Sequence, residues 1–117
     1  MLKSLQLGRN TGLQVSKLCL GTMNFGEPGR GHQGDWTLGT EDARPIFEAA
    51  IEQGINYFDC ADIYGVGASE IVVGQLLKEL LPRDEYVLTT KVSMPMGRSP
   101  NQGGLSRKHI IEGVDRS

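Results

Sequence analysis

The sequence is poor in cysteine, tryptophan and histidine, with two, one and two of them, and has no uninterrupted apolar run of membrane-spanning length. Cys19 and Cys60 are too few and too far apart for a disulfide framework, and they lack the C-x-x-C spacing of redox or zinc sites. In their apolar, strand-like surroundings both read as buried free thiols. An excess of one charge is also missing. Twelve Lys and Arg against fourteen Asp and Glu leave a formal charge of -2, with no block of like charge to hold nucleic acid or an anionic lipid surface. Residues 1–10 contain no apolar core of signal-peptide length, so the expected location is cytoplasmic. At 117 residues the chain suits one domain and not two. With 38% apolar and 22% charged residues its composition is that of a folded protein.

Glycine is abundant, with 16 residues, many of them in two patches, 26–39 and 97–104, which read as long loops. Before the first patch, two short alternating strands flank Gly8-Arg9-Asn10-Thr11-Gly12 as an opening hairpin. LCLGTMNF, residues 18–25, then reads as a short buried strand interrupted at Gly21. Thr40 is the expected N-cap of a helix with Ile46, Phe47, Ala50 and Ile51 at helical spacing, closed by a left-handed Gly54. A strand over 55–61 follows, then a helix capped near Ser69, with Val73, Leu76, Leu77 and Leu80 on one stripe until Pro82 stops it. A strand over 85–92, a second long loop and a helix capped by Ser106, with Ile110, Ile111 and Val114 as its apolar stripe, complete the pattern. No Gly or Pro stop follows Val114, so this last helix reads as cut short.

Strand and helix alternate after the hairpin, which predicts a parallel α/β sheet with right-handed crossovers. A doubly wound dinucleotide-binding sheet should carry G-x-G-x-x-G after its first strand, where this chain has Met23-Asn24-Phe25-Gly26-Glu27-Pro28. The (β/α)8 TIM barrel fits better, because its reactive residues stand at the carboxyl ends of strands. Asp59, Tyr64 and Lys91 fall at the ends of two neighbouring strands or just past them. A carboxylate, a phenol and an ammonium at one rim suit acid–base chemistry at a carbonyl. Taken alone they also suit an ion pair that only satisfies itself, and the motif spacing decides between the two.

That spacing resembles the aldo-keto reductase superfamily: GTMNFG at 21–26, FDCADIYG at 58–65 and VLTTKV at 87–92. GTMNFG and the long loop before Thr40 resemble the microbial aryl-alcohol dehydrogenase-like members more than the mammalian aldose reductase type. The resemblance implies the N-terminal part of a (β/α)8 barrel, with the hairpin covering its bottom and about three βα units over residues 1–117. It also implies an NADPH-dependent oxidoreductase that interconverts small carbonyl compounds and alcohols. Tyr64 would be the general acid, Lys91 its charged neighbour and Asp59 the carboxylate that pairs with the lysine. A tyrosine ordinarily titrates near about 10, and an ammonium beside it favours the phenolate. Gly21, Thr22, Met23 and Asp59 would touch the nicotinamide and its ribose, and no metal is implied.

The resemblance also implies a fourth reactive residue, a histidine after the next barrel strand, for which neither His32 nor His109 is a match. His32 reads as a loop residue and His109 as a helix-surface one. Phe25, Trp36, Met94 and Met96 are candidates for lining a substrate pocket. Some relatives act as channel-associated subunits, so a cofactor-sensing binding subunit or a non-catalytic fragment is the alternative reading. Three strands cannot close a barrel of eight, so the isolated chain is expected to be marginally stable and inactive, with an exposed sheet edge open to self-association.

Overall fold

The computed structural model describes residues 2–117; Met1 lies outside them. β1 (Ser4–Gln6) and β2 (Gln14–Ser16) form the antiparallel hairpin. Ser16 N–H donates to Asn56 Oδ1 at 2.7 Å, Asn56 N–H donates to Ser16 Oγ at 3.2 Å, and Leu2 N–H donates to the Gln53 carbonyl at 3.1 Å. These bonds fasten the hairpin just ahead of the next strand, at the amino end of the parallel sheet.

That sheet is β3 (Leu20–Gly21), β4 (Tyr57–Asp59) and β5 (Val87–Thr89), parallel throughout and in the order β3-β4-β5. The strands are shorter than the sequence pattern implies. Leu20 packs half-buried against the core and Gly21 is exposed, so the first strand is not the buried one expected: β3 lies at the edge of the sheet. α1 (Thr40–Glu52) and α2 (Ala68–Leu80) lie together on the other face.

Between these layers the Phe47 ring stacks on Phe58 with centroids 5.7 Å apart, and Phe25 packs on Phe47 at 5.2 Å. Val73, Leu76 and Leu77 close the core from α2. Burial of each such side chain contributes about 1.5–3 kcal/mol, so this cluster supplies most of what holds the layers together. Phe25 therefore belongs to the core, not to a pocket wall, because its ring is turned in against Phe47.

Several local expectations need correction. Gly39, not Thr40, occupies the N-cap position of α1. Ser69 lies inside the first turn of α2, whose N-cap is Gly67, because its hydroxyl donates to the Thr22 carbonyl at 2.7 Å instead of capping its own helix. Cys19 is exposed and only Cys60 is buried. In α3 (Arg107–Arg116) Ser106 is the cap as expected, accepting from His109 N–H. The inward face of α3, however, is His109 and Gly113, and Ile110, Ile111 and Val114 face outward. His109 is fully buried, the reverse of a helix-surface residue. Gly54 does take the left-handed conformation after α1, with φ 87°.

Phe47→Ala is expected to cost about 3–5 kcal/mol of stability. Ile46→Ala, on the exposed side of the same helix, should cost far less. Urea unfolding of both variants tests the contrast, and equal losses would contradict the packing described.

Candidate active site

The parallel register pairs Gly21 with Asp59 and Asp59 with Thr89, placing three strand ends in one row. Alternation along a strand sends neighbours to opposite faces. Burial of Phe58 in the helix-covered core thus turns Asp59 to the open face. Thr89, at the same level on β5, donates from its hydroxyl to Asp59 Oδ1 at 2.8 Å.

Lys91 lies two residues past the end of β5 and returns to this row. Its ammonium donates to Asp59 Oδ2 at 2.6 Å and to the Cys60 carbonyl at 2.7 Å, and it stands 3.5 Å from Tyr64 Oη. Three N–H donors thus face three oxygens, which is the full capacity of an ammonium group. The distance to Tyr64 is at the outer limit of hydrogen bonding. Burial on its own would lower the Lys91 pKa, but the hydrogen bond and negative charge of Asp59, with a further contribution from Tyr64, outweigh it and hold the group above its ordinary value. Lys91 is therefore a cation throughout the neutral range.

Asp59 is about one-third exposed and Lys91 about half exposed. An ion pair so open to water stabilises a fold by about 0–1 kcal/mol. The pair therefore adds little to stability, and it holds a cation beside the Tyr64 phenol.

Of the other residues singled out in the sequence, Gly21 is exposed, and a side chain there would meet nothing within 4 Å. Thr22 is buried, its N–H (3.1 Å) and hydroxyl (2.8 Å) both donating to the Asp59 carbonyl while its own carbonyl accepts from Ser69. Met23 is exposed beside it. Trp36 and Met94 are exposed, so neither lines an enclosed pocket. His32 is exposed, its ring edge-on to Tyr64 with centroids 6.4 Å apart.

Met96 lines a cavity of about 330 Å³ between the Tyr64 turn and α3, whose walls include Asp62, Glu70 and His109. Asp59, Tyr64 and Lys91 do not line it. Asp62 Oδ2 and both ring nitrogens of His109 are buried there without a hydrogen-bond partner. Among the described residues no cluster of His, Cys, Asp and Glu is placed to hold a metal ion, and no helix is long and apolar enough to cross a membrane.

Thr89 and Asp62 did not stand out in the sequence, and Ser69 did so only as a helix cap. Thr89 had a readable signal, since it lies two residues before Lys91 on the same strand pattern and so shares its face. Ser69 had none, because a serine in the first turn of a helix ordinarily reads as a cap.

Charged and polar groups gathered at the carboxyl ends of parallel strands, with helices covering one face, match the layout of a βα-barrel. The model of the Aldo/keto reductase family matches residues 17–117, and the chain belongs to that family. It is 39% identical to versiconal hemiacetal acetate reductase of Aspergillus parasiticus, over 92% of this chain and 36% of that protein. Two proteins of Schizosaccharomyces pombe are also similar. A candidate voltage-gated potassium channel subunit beta is 45% identical over 95% of this chain and 30% of its own length, and a candidate aryl-alcohol dehydrogenase is 36% identical over 92% and 37%. Among solved structures, the holo form of aldo-keto reductase AKR11C1 from Bacillus halodurans superposes with a TM-score of 0.72 at 32% identity, covering 99% of this chain and 35% of that one. The chain spans about a third of the length of the curated relatives it matches. Its α/β architecture is part of a (β/α)8 fold, with the barrel left open.

Burial raises the Asp62 pKa, with the Ile63 N–H opposing in part. The folded chain thus binds this proton more tightly than the unfolded chain does. The contribution of Asp62 to stability therefore grows as pH falls through its raised value and is lost as pH rises. Asp62→Asn, which keeps an acceptor for the Ile63 N–H, is expected to be more stable than the parent at neutral pH, with an advantage that shrinks toward pH ~4. Urea unfolding across that range is the check, and a difference independent of pH would contradict it.

Proposed function

We propose that this chain supplies the acid side of a carbonyl-reducing site in an NADPH-dependent aldo-keto reductase. The observation that carries the reading is the Lys91 ammonium, bonded to Asp59 and standing 3.5 Å from the Tyr64 hydroxyl. Reduction of an aldehyde or ketone builds negative charge on oxygen, and a positioned acid must neutralise it. Tyr64 donates that proton. Lys91 stabilises the phenolate left behind, and Asp59 orients Lys91 and balances its charge. Metal chemistry has no part in this reading.

The reduced nicotinamide supplies the hydride when bound. Gly21 and Met23, exposed beside Asp59, fit the edge of its ring and ribose, since Gly21 leaves an open surface there. Thr22 is committed to Asp59 and Ser69 and supports its neighbours from behind. In (β/α)8 barrels the phosphate-binding loops follow strands seven and eight. The preference for NADPH, like a fourth catalytic histidine, therefore comes from the family resemblance. The substrates of this reading are small carbonyl compounds or alcohols, and the location is cytoplasmic.

The identity to a candidate channel subunit beta favours a second reading, a cofactor-sensing binding subunit with the same site. It predicts a cofactor-dependent effect on a partner in place of turnover. In a third reading the 117 residues alone are a non-catalytic fragment. β3 and β5 both lie at edges of the sheet, and an uncovered edge invites self-association. A monomeric, cooperative and active isolated chain would contradict that expectation.

In protein whose barrel is complete, Tyr64→Phe is expected to lower NADPH-dependent aldehyde reduction by about 100- to 10,000-fold. Lys91→Met should do so comparably while costing no more than about 1 kcal/mol of stability. Absorbance at the nicotinamide band and urea unfolding measure the two quantities. Full turnover in Tyr64→Phe would eliminate the acid role.

A further inference from the structure

The loop after β3 is folded around one buried side chain. Gln33 donates from its amide nitrogen to the Met23 carbonyl at 3.0 Å and the Phe25 carbonyl at 2.9 Å, and its amide oxygen accepts from Glu27 N–H at 2.9 Å. On its other side the same amide oxygen is packed against Gly65, where any side chain would collide with it. Gly65 directly follows Tyr64. One side group therefore touches both the segment beside Asp59 and the turn that carries the phenol.

That turn is strained. After Tyr64 the chain runs through Gly65 at φ 58°, Val66 at φ 50° and ψ 52°, and Gly67 at φ 92°. A β-branched residue in the left-handed region is strained and persists only where its surroundings hold it. The loop provides the hold. The Arg30 guanidinium donates to the Val66 carbonyl at 3.1 Å and is itself paired with Glu27 at 3.3 Å. The Val66 side chain lies against Gly31, where a Cβ would stand 2.9 Å from Val66 Cγ2.

From this geometry we infer that Gln33 is a positioning residue. It fixes the Tyr64 turn relative to residues 21–23, with Arg30 as its accessory at Val66. The placement of the phenol is then set by this loop as much as by the sheet. The catalytic consequence rests on the reading of Tyr64 as the acid, whereas the positioning itself does not.

The test is NMR of the full 117-residue chain. Gln33→Leu removes the three hydrogen bonds while nearly keeping the volume. It is expected to shift the Tyr64 ring and the Gly65–Gly67 amide signals and to weaken the Tyr64–His32 contact. Ile46→Ala serves as the control for a substitution remote from the loop and should leave those signals in place. Gln33→Glu keeps the acceptor for Glu27 but sets a carboxylate against two carbonyls. Its signals should return toward the parent's as the pH falls and the carboxyl regains a donor. Should Gln33→Leu not fold, Arg30→Ala, at a side chain 43% exposed, is expected to shift the Gly65–Gly67 amides alone.

Tyr64 and Gly65–Gly67 signals unchanged in the folded variants would overturn the inference. So would shifts equal to those of the control. In protein with reductase turnover, Gln33→Leu should lower kcat by on the order of ten- to a hundredfold with KM little changed. Absence of turnover in the parent would remove the reductase reading but leave the NMR result decisive.

Discussion

The site depends on one register. Parallel pairing of Gly21 with Asp59 and Asp59 with Thr89 puts the carboxylate in the middle of a row, and burial of Phe58 between the sheet and its helices holds that row in place. A slip of one residue would turn Asp59 into the apolar layer and Phe58 toward the ammonium. Both exchanges are costly, since a charge would lose water and an aromatic ring would gain it. The packing of an aromatic core and the assembly of a charged site are therefore one constraint seen from two faces of the sheet.

Much of this was legible in the sequence because it is periodic. The stripe Val73, Leu76, Leu77 and the buried Phe47 follow helical spacing, and the order of strands and helices implied the parallel sheet. Asp59, Tyr64 and Lys91 were legible through motif spacing, and the structure brings them together.

What stayed hidden was aperiodic. Nothing in Gly-His-Gln-Gly marks Gln33 as the centre of its loop, since its partners are backbone atoms up to ten residues away. The inward turn of His109 was missed for a related reason. The apolar stripe of α3 pointed to Ile110, Ile111 and Val114, yet the helix meets its neighbours through Gly113, against Val92, and through His109, whose ring nitrogens find no partner there. Burial there follows from what the neighbour offers, which periodicity does not register.

The hairpin is tied through Ser16 and Asn56 to the amino ends of the strands, and Asp59, Thr89 and Lys91 stand at the opposite ends. The length of the sheet thus insulates the two. Alterations to the Gly8–Gly12 turn, such as an attached dye, an inserted tag or a tether to a surface, can be read as changes in assembly or folding with little direct perturbation of the Asp59–Lys91 pair.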